Sequence, residues 1–378
     1  MQDPLFKLRE YGQSIWFDTL SRKLVTSGRL QKLIDEYAVV GVTSNPTIFD
    51  KAISGSADYD EDIRQLAKAG WSAPQIYEKL VTEDVRMACD VLRPVYEQTH
   101  GVDGRVSLEV NPHLAFSPKE TMEEARRLWQ TVDRPNLMIK IPGTQAGIPA
   151  IEQMIYEGLS INITLLFGVS IYEKVMAAYF KGLERRVAER KPLDSIHSVA
   201  SFFVSRVDTM VDHELEAKIR TAQSPAEQAR LKRLLGQAAN ANAKMAYQAF
   251  KRVFSSPRWE ALKAKGANLQ RPLWASTSTK NSAYPDTLYV TELIGPHTVN
   301  TVPESTLLAF ADHGVVRGNT IEEDLEGMRE RLRQLAETGV DLDDITGHRL
   351  VNEGVRLFAD SFDKLTAGLR QKQEAILS

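Results

Sequence analysis

Cysteine is almost absent from this 378-residue sequence: Cys89 stands alone and cannot form an intrachain disulfide. It lies in VTEDVRMACDVLRP among apolar residues at helical spacing, which reads as core filling rather than a reactive thiol. Long apolar runs are also missing. The longest near-apolar stretch, ITLLFGVSIY, falls far below the roughly 18 residues that a membrane span needs. The opening MQDPLFKLREYG carries no apolar segment of signal-peptide type, so the cytoplasm is the expected compartment. An excess of charge is lacking as well: 47 Lys and Arg stand against 50 Asp and Glu, a net charge of −3. That balance offers no global pull toward nucleic acid or an anionic membrane, so any anion binding must be local.

Several chemical signatures are missing too. The seven histidines (His100, His113, His197, His213, His297, His313 and His348) include no HExxH and no close pair, so no metal is expected. Neither a P-loop nor a GxGxxG fingerprint is present, which weakens nucleotide readings. No repeat, low-complexity tract or linker rich in Pro, Gly or Ser divides the chain.

What the chain does contain is 43% hydrophobic residues, ample for a large core, arranged as recurring short β-rich segments with helical segments between them. The candidate strands are residues 14–20, 38–46, 105–112, 137–142, 160–167, 198–206, 271–279 and 297–305. Eight such units predict a (β/α)8 TIM barrel, whose functional residues come from the strand C-termini and the loops that follow. Intervening helices are predicted within residues 58–70, 117–133, 145–158 and 170–191, with Ser117 before Pro118 as a hydroxyl cap followed by proline at the first helical position. One domain spanning residues 1–378 is expected, with a helical insertion around 224–265 and a helical extension around 319–378. Both look like decoration of the minimal barrel.

Side-chain alternation along the strands suggests what faces inward. In LMIKIP, Ile139 and Ile141 share the face suited to packing under helices, while Met138 and Lys140 share the interior one. An inward ammonium in a partly dry site loses solvation, which favours the neutral amine, a nucleophile toward carbonyl carbon. The plainer alternative is a lysine reaching the barrel mouth or paired with a carboxylate. In SINITLLF the same rule puts Asn162 and Thr164 inside, and Ile161, Ile163 and Leu165 outside. Asp18, Asn45 (with Thr43) and Glu109 end their strands in similar fashion, although Asp and Asn are also common caps. Ser201, Phe203 and Arg206 end the sixth strand, and Ser276, Ser278 and Lys280 the seventh, where cations and hydroxyls suit a phosphate.

In order, GVTSNPTIF, VSLEV, MIKIPGT, INITLLF and SFFVSRVD resemble the transaldolase family, over roughly residues 14–312, and the added helical length resembles its longer bacterial form. The resemblance implies that Lys140 forms an imine, Asp18 acts as acid and base on a sugar hydroxyl, and Glu109 and Thr164 hold and activate a water. It also implies that Asn45 and Asn162 bind a dihydroxyacetone moiety, with Ser201, Arg206 and Lys280 around a phosphate. The family commonly has an arginine after a serine in its seventh-strand motif, so Lys280 in STSTKN is a substitute. No cofactor is implied. Sedoheptulose 7-phosphate and fructose 6-phosphate would be donors, and erythrose 4-phosphate and glyceraldehyde 3-phosphate the aldoses, in the pentose phosphate pathway. Two rivals stand beside this reading: a fructose-6-phosphate aldolase that releases free dihydroxyacetone, and a catalytically silent sugar-phosphate-binding barrel. Monomer and homodimer are both left open.

Overall fold

The structure, a computed structural model, describes residues 3–377. Eight parallel strands close into one barrel in chain order. They are β1 Gln13–Phe17, β2 Val39–Val42, β3 Arg105–Glu109, β4 Leu137–Pro142, β5 Ile161–Leu166, β6 Ser198–Phe203, β7 Gln270–Ala275 and β8 Thr298–Val302. Six of the predicted segments contain their strands entirely, and the first and seventh strands begin one residue early, at Gln13 and Gln270. All eight strands are buried along their whole length, as expected where helices cover one face and side chains fill the other.

The predicted helix start at Pro118 holds, since the helix runs Pro118–Val132 with Ser117 as its N-cap. The Ser117 hydroxyl makes no capping hydrogen bond, however. The preset φ of proline and the Thr121 N–H, which donates to Ser117 O at 3.0 Å, are what start this helix.

Strand register builds a single row across the barrel: Glu109 pairs with Lys140 across β3 and β4, and Lys140 with Asn162 across β4 and β5. At Leu165 the alternation fails. Its φ is +57°, and the register between β5 and β6 shifts between Ile163 and Leu166. Leu165 therefore leaves the outer face that strict alternation gives it and turns toward the long C-terminal helix, Leu350–Leu377. A Cβ at Gly354 of that helix would stand 2.8 Å from Leu165 Cδ2, so glycine there leaves room for the end of the leucine side chain.

The N-terminal end of the barrel is plugged. Arg271 donates to Asp103 Oδ1 at 3.0 Å and to Ser14 Oγ at 2.6 Å, and Trp16 Nε1 donates to Asp103 Oδ1 at 3.0 Å. A buried charge paired and hydrogen-bonded in this way is structural, which leaves the opposite end for chemistry.

Beyond the minimal barrel, helices Pro225–Lys232, Ala238–Val253 and Pro257–Lys263 precede β7, and helices Glu304–His313, Leu325–Glu337 and Leu350–Leu377 follow β8. Asn242 Nδ2 donates to Phe167 O at 2.7 Å, just past β5, and Lys364 Nζ donates to Asp50 Oδ2 at 2.7 Å, in the helix after β2, tying both additions to the barrel. On that ground we propose that the chain is one domain. Among the described residues, no helix is long and apolar enough to cross a membrane.

Candidate active site

A cavity of about 480 Å³ opens at the C-terminal end of the strands. Ten residues singled out from the sequence line it: Asp18, Thr43, Asn45, Lys140, Ser201, Phe203, Arg206, Ser276, Ser278 and Lys280. Lys140 is 4% exposed. Its Nζ donates to Ser44 O at 3.1 Å, lies 3.3 Å from Glu109 Oε2, and stands 5.8 Å from the centre of the Phe358 ring. One amine thus meets a carbonyl, a carboxylate and an aromatic face.

Across the cavity, Asp18 follows β1, its N–H donating to Val302 O at 2.9 Å. Its Oδ1 accepts from Thr43 Oγ1 at 2.7 Å, and Thr43 Oγ1 lies 2.6 Å from Thr301 Oγ1. With the Thr43 proton directed at Asp18, Thr301 is the donor in the second bond. Burial pushes the Asp18 carboxyl above the ordinary carboxylate range, while Lys140, the Thr43 hydrogen bond, Lys280 and Arg206 pull it back. Burial raises Glu109 likewise, with Lys140 opposing and the Asp18 charge adding to the rise.

Three of the sequence candidates lie outside the cavity lining. Asn162 is fully buried beneath it, donating through Nδ2 to Ser107 Oγ at 3.0 Å and accepting at Oδ1 from Ser201 Oγ at 2.6 Å. Both ends of this amide are engaged, one by Ser107 on β3, two strands away, and the other by Ser201 on the adjacent β6. Glu109 and Thr164 are buried as well, and Glu109 Oε1 and Thr164 Oγ1 have no hydrogen-bond partner among the described residues. Asn45 lines the cavity and also caps helix Pro46–Ser54, its Oδ1 accepting from Ile48 N at 3.0 Å. Only its amide donors remain for a ligand.

Cations gather on one side of the cavity. Arg206 rests against Phe203 (5.3 Å to the ring centre) and Phe358 (6.0 Å), and its buried Nη1 has no partner among the described residues. Burial holds Arg206 below its ordinary range, with Glu353 and Asp18 opposing. Lys280 Nζ donates to Ser278 Oγ at 2.8 Å, and burial followed by repulsion from Arg206 and Lys51 lowers its pKa. A site that crowds like charges with one donor left open is built for an anion.

Sequence reasoning missed Lys51 and Phe358. Lys51 had a signal, since it falls one turn after Thr47 on a helix that begins at a strand end, and both line the cavity. Phe358 had none, and the helix that carries it is more than decoration. Among the described residues, no group of three or more His, Cys, Asp or Glu is arranged to hold a metal ion.

The transaldolase/fructose-6-phosphate aldolase family matches residues 15–369. Transaldolase of Parafrankia sp. is 50% identical over 372 residues, covering 98% of each chain. The chain belongs to the transaldolase family. Transaldolase of Acidothermus cellulolyticus is 52% identical, covering 99% of this chain and 98% of its own, and Transaldolase 2 of Nostoc sp. is 46% identical over 97% of both. Because these transaldolases match from end to end, the helices beyond the minimal barrel belong to the family's longer form.

Proposed function

We propose that this family member transfers a dihydroxyacetone unit from a ketose phosphate to an aldose phosphate through an imine on Lys140. The observation that carries the reading is the setting of Lys140, a buried amine at the cavity wall with Glu109 at 3.3 Å and Asp18 lining the same cavity. Lys140 Nζ would attack the ketose carbonyl, and water would leave to form the iminium. Asp18 would take the proton of the hydroxyl on the carbon beyond the bond that breaks, and the iminium would accept the bonding electrons. The aldose departs, and the enamine left on Lys140 adds to the carbonyl of a second aldose. Hydrolysis of the new imine frees the product.

Glu109 and Thr164 would hold the water that enters and leaves. Their unpartnered buried oxygens support this, because such atoms are ordinary seats for ordered water. Asn45 would contact the dihydroxyacetone part through its amide donors. Asn162, engaged at both ends, would align Ser201 from below. Phe203 would support Arg206, which with Ser201, Lys280 and Lys51 would hold the phosphate. Sedoheptulose 7-phosphate and fructose 6-phosphate would be the donors, in the pentose phosphate pathway, and the cytoplasm is the compartment proposed with them.

Borohydride reduction in the presence of fructose 6-phosphate, followed by mass mapping, tests the reading. The adduct is expected on Lys140 and absent from Lys140→Met. Label on Lys280 instead, or release of free dihydroxyacetone at the rate of ketose consumption when an aldose acceptor is present, would overturn it.

A further inference from the structure

Arg206 and Lys280 belong to different strand-end segments, and as like charges they repel whenever no anion lies between them. Something must hold the segment carrying Lys280 in place. That segment runs from β7 to β8 and contains two tyrosines, Tyr284 and Tyr289, whose hydroxyls donate to two carboxylates of one helix. The helix is Ser205–Thr221, which carries Arg206 in its first turn, and the carboxylates are Asp208 and Asp212, one turn apart.

Each carboxylate is bound at both oxygens. Asp208 Oδ2 accepts from Tyr289 OH at 2.7 Å and its Oδ1 from Ala239 N at 2.7 Å. Asp212 Oδ2 accepts from Tyr284 OH at 2.6 Å and its Oδ1 from Gly236 N at 2.9 Å. Gly236 has φ +68°, and a Cβ there would stand 2.6 Å from the Tyr284 ring, so the ring lies directly on the glycine. Nearer the strands, Ser205 N donates to Ser276 O at 3.0 Å, joining the same two segments at their roots. Both aspartates are buried, and burial pushes Asp208 up to about 7, with the Asp212 charge adding to the rise. Two like charges kept close in a dry place are an unfavourable way to gain stability alone.

We propose that Asp208 and Asp212 are positioning residues that act through Tyr289 and Tyr284 to hold the Lys280 segment beside Arg206, so that both cations meet the same phosphate. This rests on the phosphate reading above. The device acts on recognition of the phosphate and leaves the imine chemistry at Lys140 alone.

The test is the preference for fructose 6-phosphate over fructose, measured as the ratio of kcat/KM, with inorganic phosphate as a competing anion. Tyr284→Phe and Asp212→Asn are each expected to lower the ratio by about three- to tenfold, less than the loss of a direct hydrogen bond to a charged group, because they loosen the Lys280 segment without removing a phosphate contact. The inhibition constant for phosphate should rise in step, while turnover of fructose stays unchanged. Tyr289→Phe should act in the same direction. Because the clamp works through Lys280, Tyr284→Phe combined with Lys280→Ala should be no worse than Lys280→Ala alone. Equal losses on both sugars, or additive losses in the double variant, would show a general structural role and overturn the clamp. A ratio that collapses in Arg206→Ala yet survives in the tyrosine variants overturns the clamp alone. A ratio that survives in Arg206→Ala removes the phosphate reading and the clamp built on it.

Discussion

Glu109 Oε2 lies 3.3 Å from Lys140 Nζ, and the two residues are direct register partners on β3 and β4. The carboxylate paired with Lys140 is therefore fixed by sheet hydrogen bonding rather than by a loop. Glu109→Gln should slow both formation and hydrolysis of the imine, by about 10²- to 10⁴-fold in turnover if it moves a proton in each. Rapid mixing with fructose 6-phosphate, quenched by borohydride, measures adduct growth directly. Growth at the rate of the unaltered enzyme would confine Glu109 to holding charge.

Asp18 stands across the cavity from Lys140, bound to Thr43. Asp18→Asn keeps the shape and removes the base, so cleavage should slow more than imine formation. The expected outcome is accumulation of a reducible adduct carrying the intact six-carbon ketose, with turnover down by about 10²- to 10⁴-fold. Mass analysis separates that adduct from the three-carbon one. Normal turnover in Asp18→Asn would reduce the residue to a strand-end cap.

The raised Asp18 carboxyl predicts the acid limb of the rate profile. Only the ionised form accepts a proton, so activity falls as pH drops through its pKa, at a pH above the ordinary carboxylate value of about 3.9. Lys280 is one of the charges pulling Asp18 down, so Lys280→Ala should move that limb to higher pH. Fructose is the substrate for this measurement, because a sugar phosphate titrates near pH 6 itself. Coincident limbs in the two proteins would disconnect Lys280 from Asp18.

Arg206 has the open donor and Lys280 a hydroxyl partner, which ranks them. Arg206→Ala should weaken use of fructose 6-phosphate by roughly ten- to a hundredfold, the equivalent of one hydrogen bond to a charged group. Lys280→Ala should do the same to a smaller degree, since an ammonium lacks the guanidinium fork. Unphosphorylated fructose should change little in either variant. Equal losses on both sugars would assign Arg206 to the fold.

The barrel was legible because apolar β-rich runs of similar length recur eight times, and Lys140 because a charged residue in such a run has only two faces to choose between. Leu165 was not legible: nothing in the alternation of its own strand marks a left-handed residue, and its side chain packs beside Gly354, 189 positions later. Asn162 was placed inside correctly by parity. That its amide ends meet Ser107 on β3 and Ser201 on β6 depends on barrel closure and on the stagger between strands, which alternation within one strand does not contain. Lys51 escaped because strand ends alone were read for chemistry, whereas the helix after β2 turns a whole face to the cavity.

The aromatic ring over Lys140 and Arg206 comes from position 358, on the C-terminal helix. All eight strands precede it. The covering ring is therefore made after every strand that frames the cavity, in one of the last stretches of the chain. What shelters Lys140 from stray carbonyl compounds thus comes from outside the barrel, and the accessibility of this lysine to small aldehydes would report whether the last helix has docked.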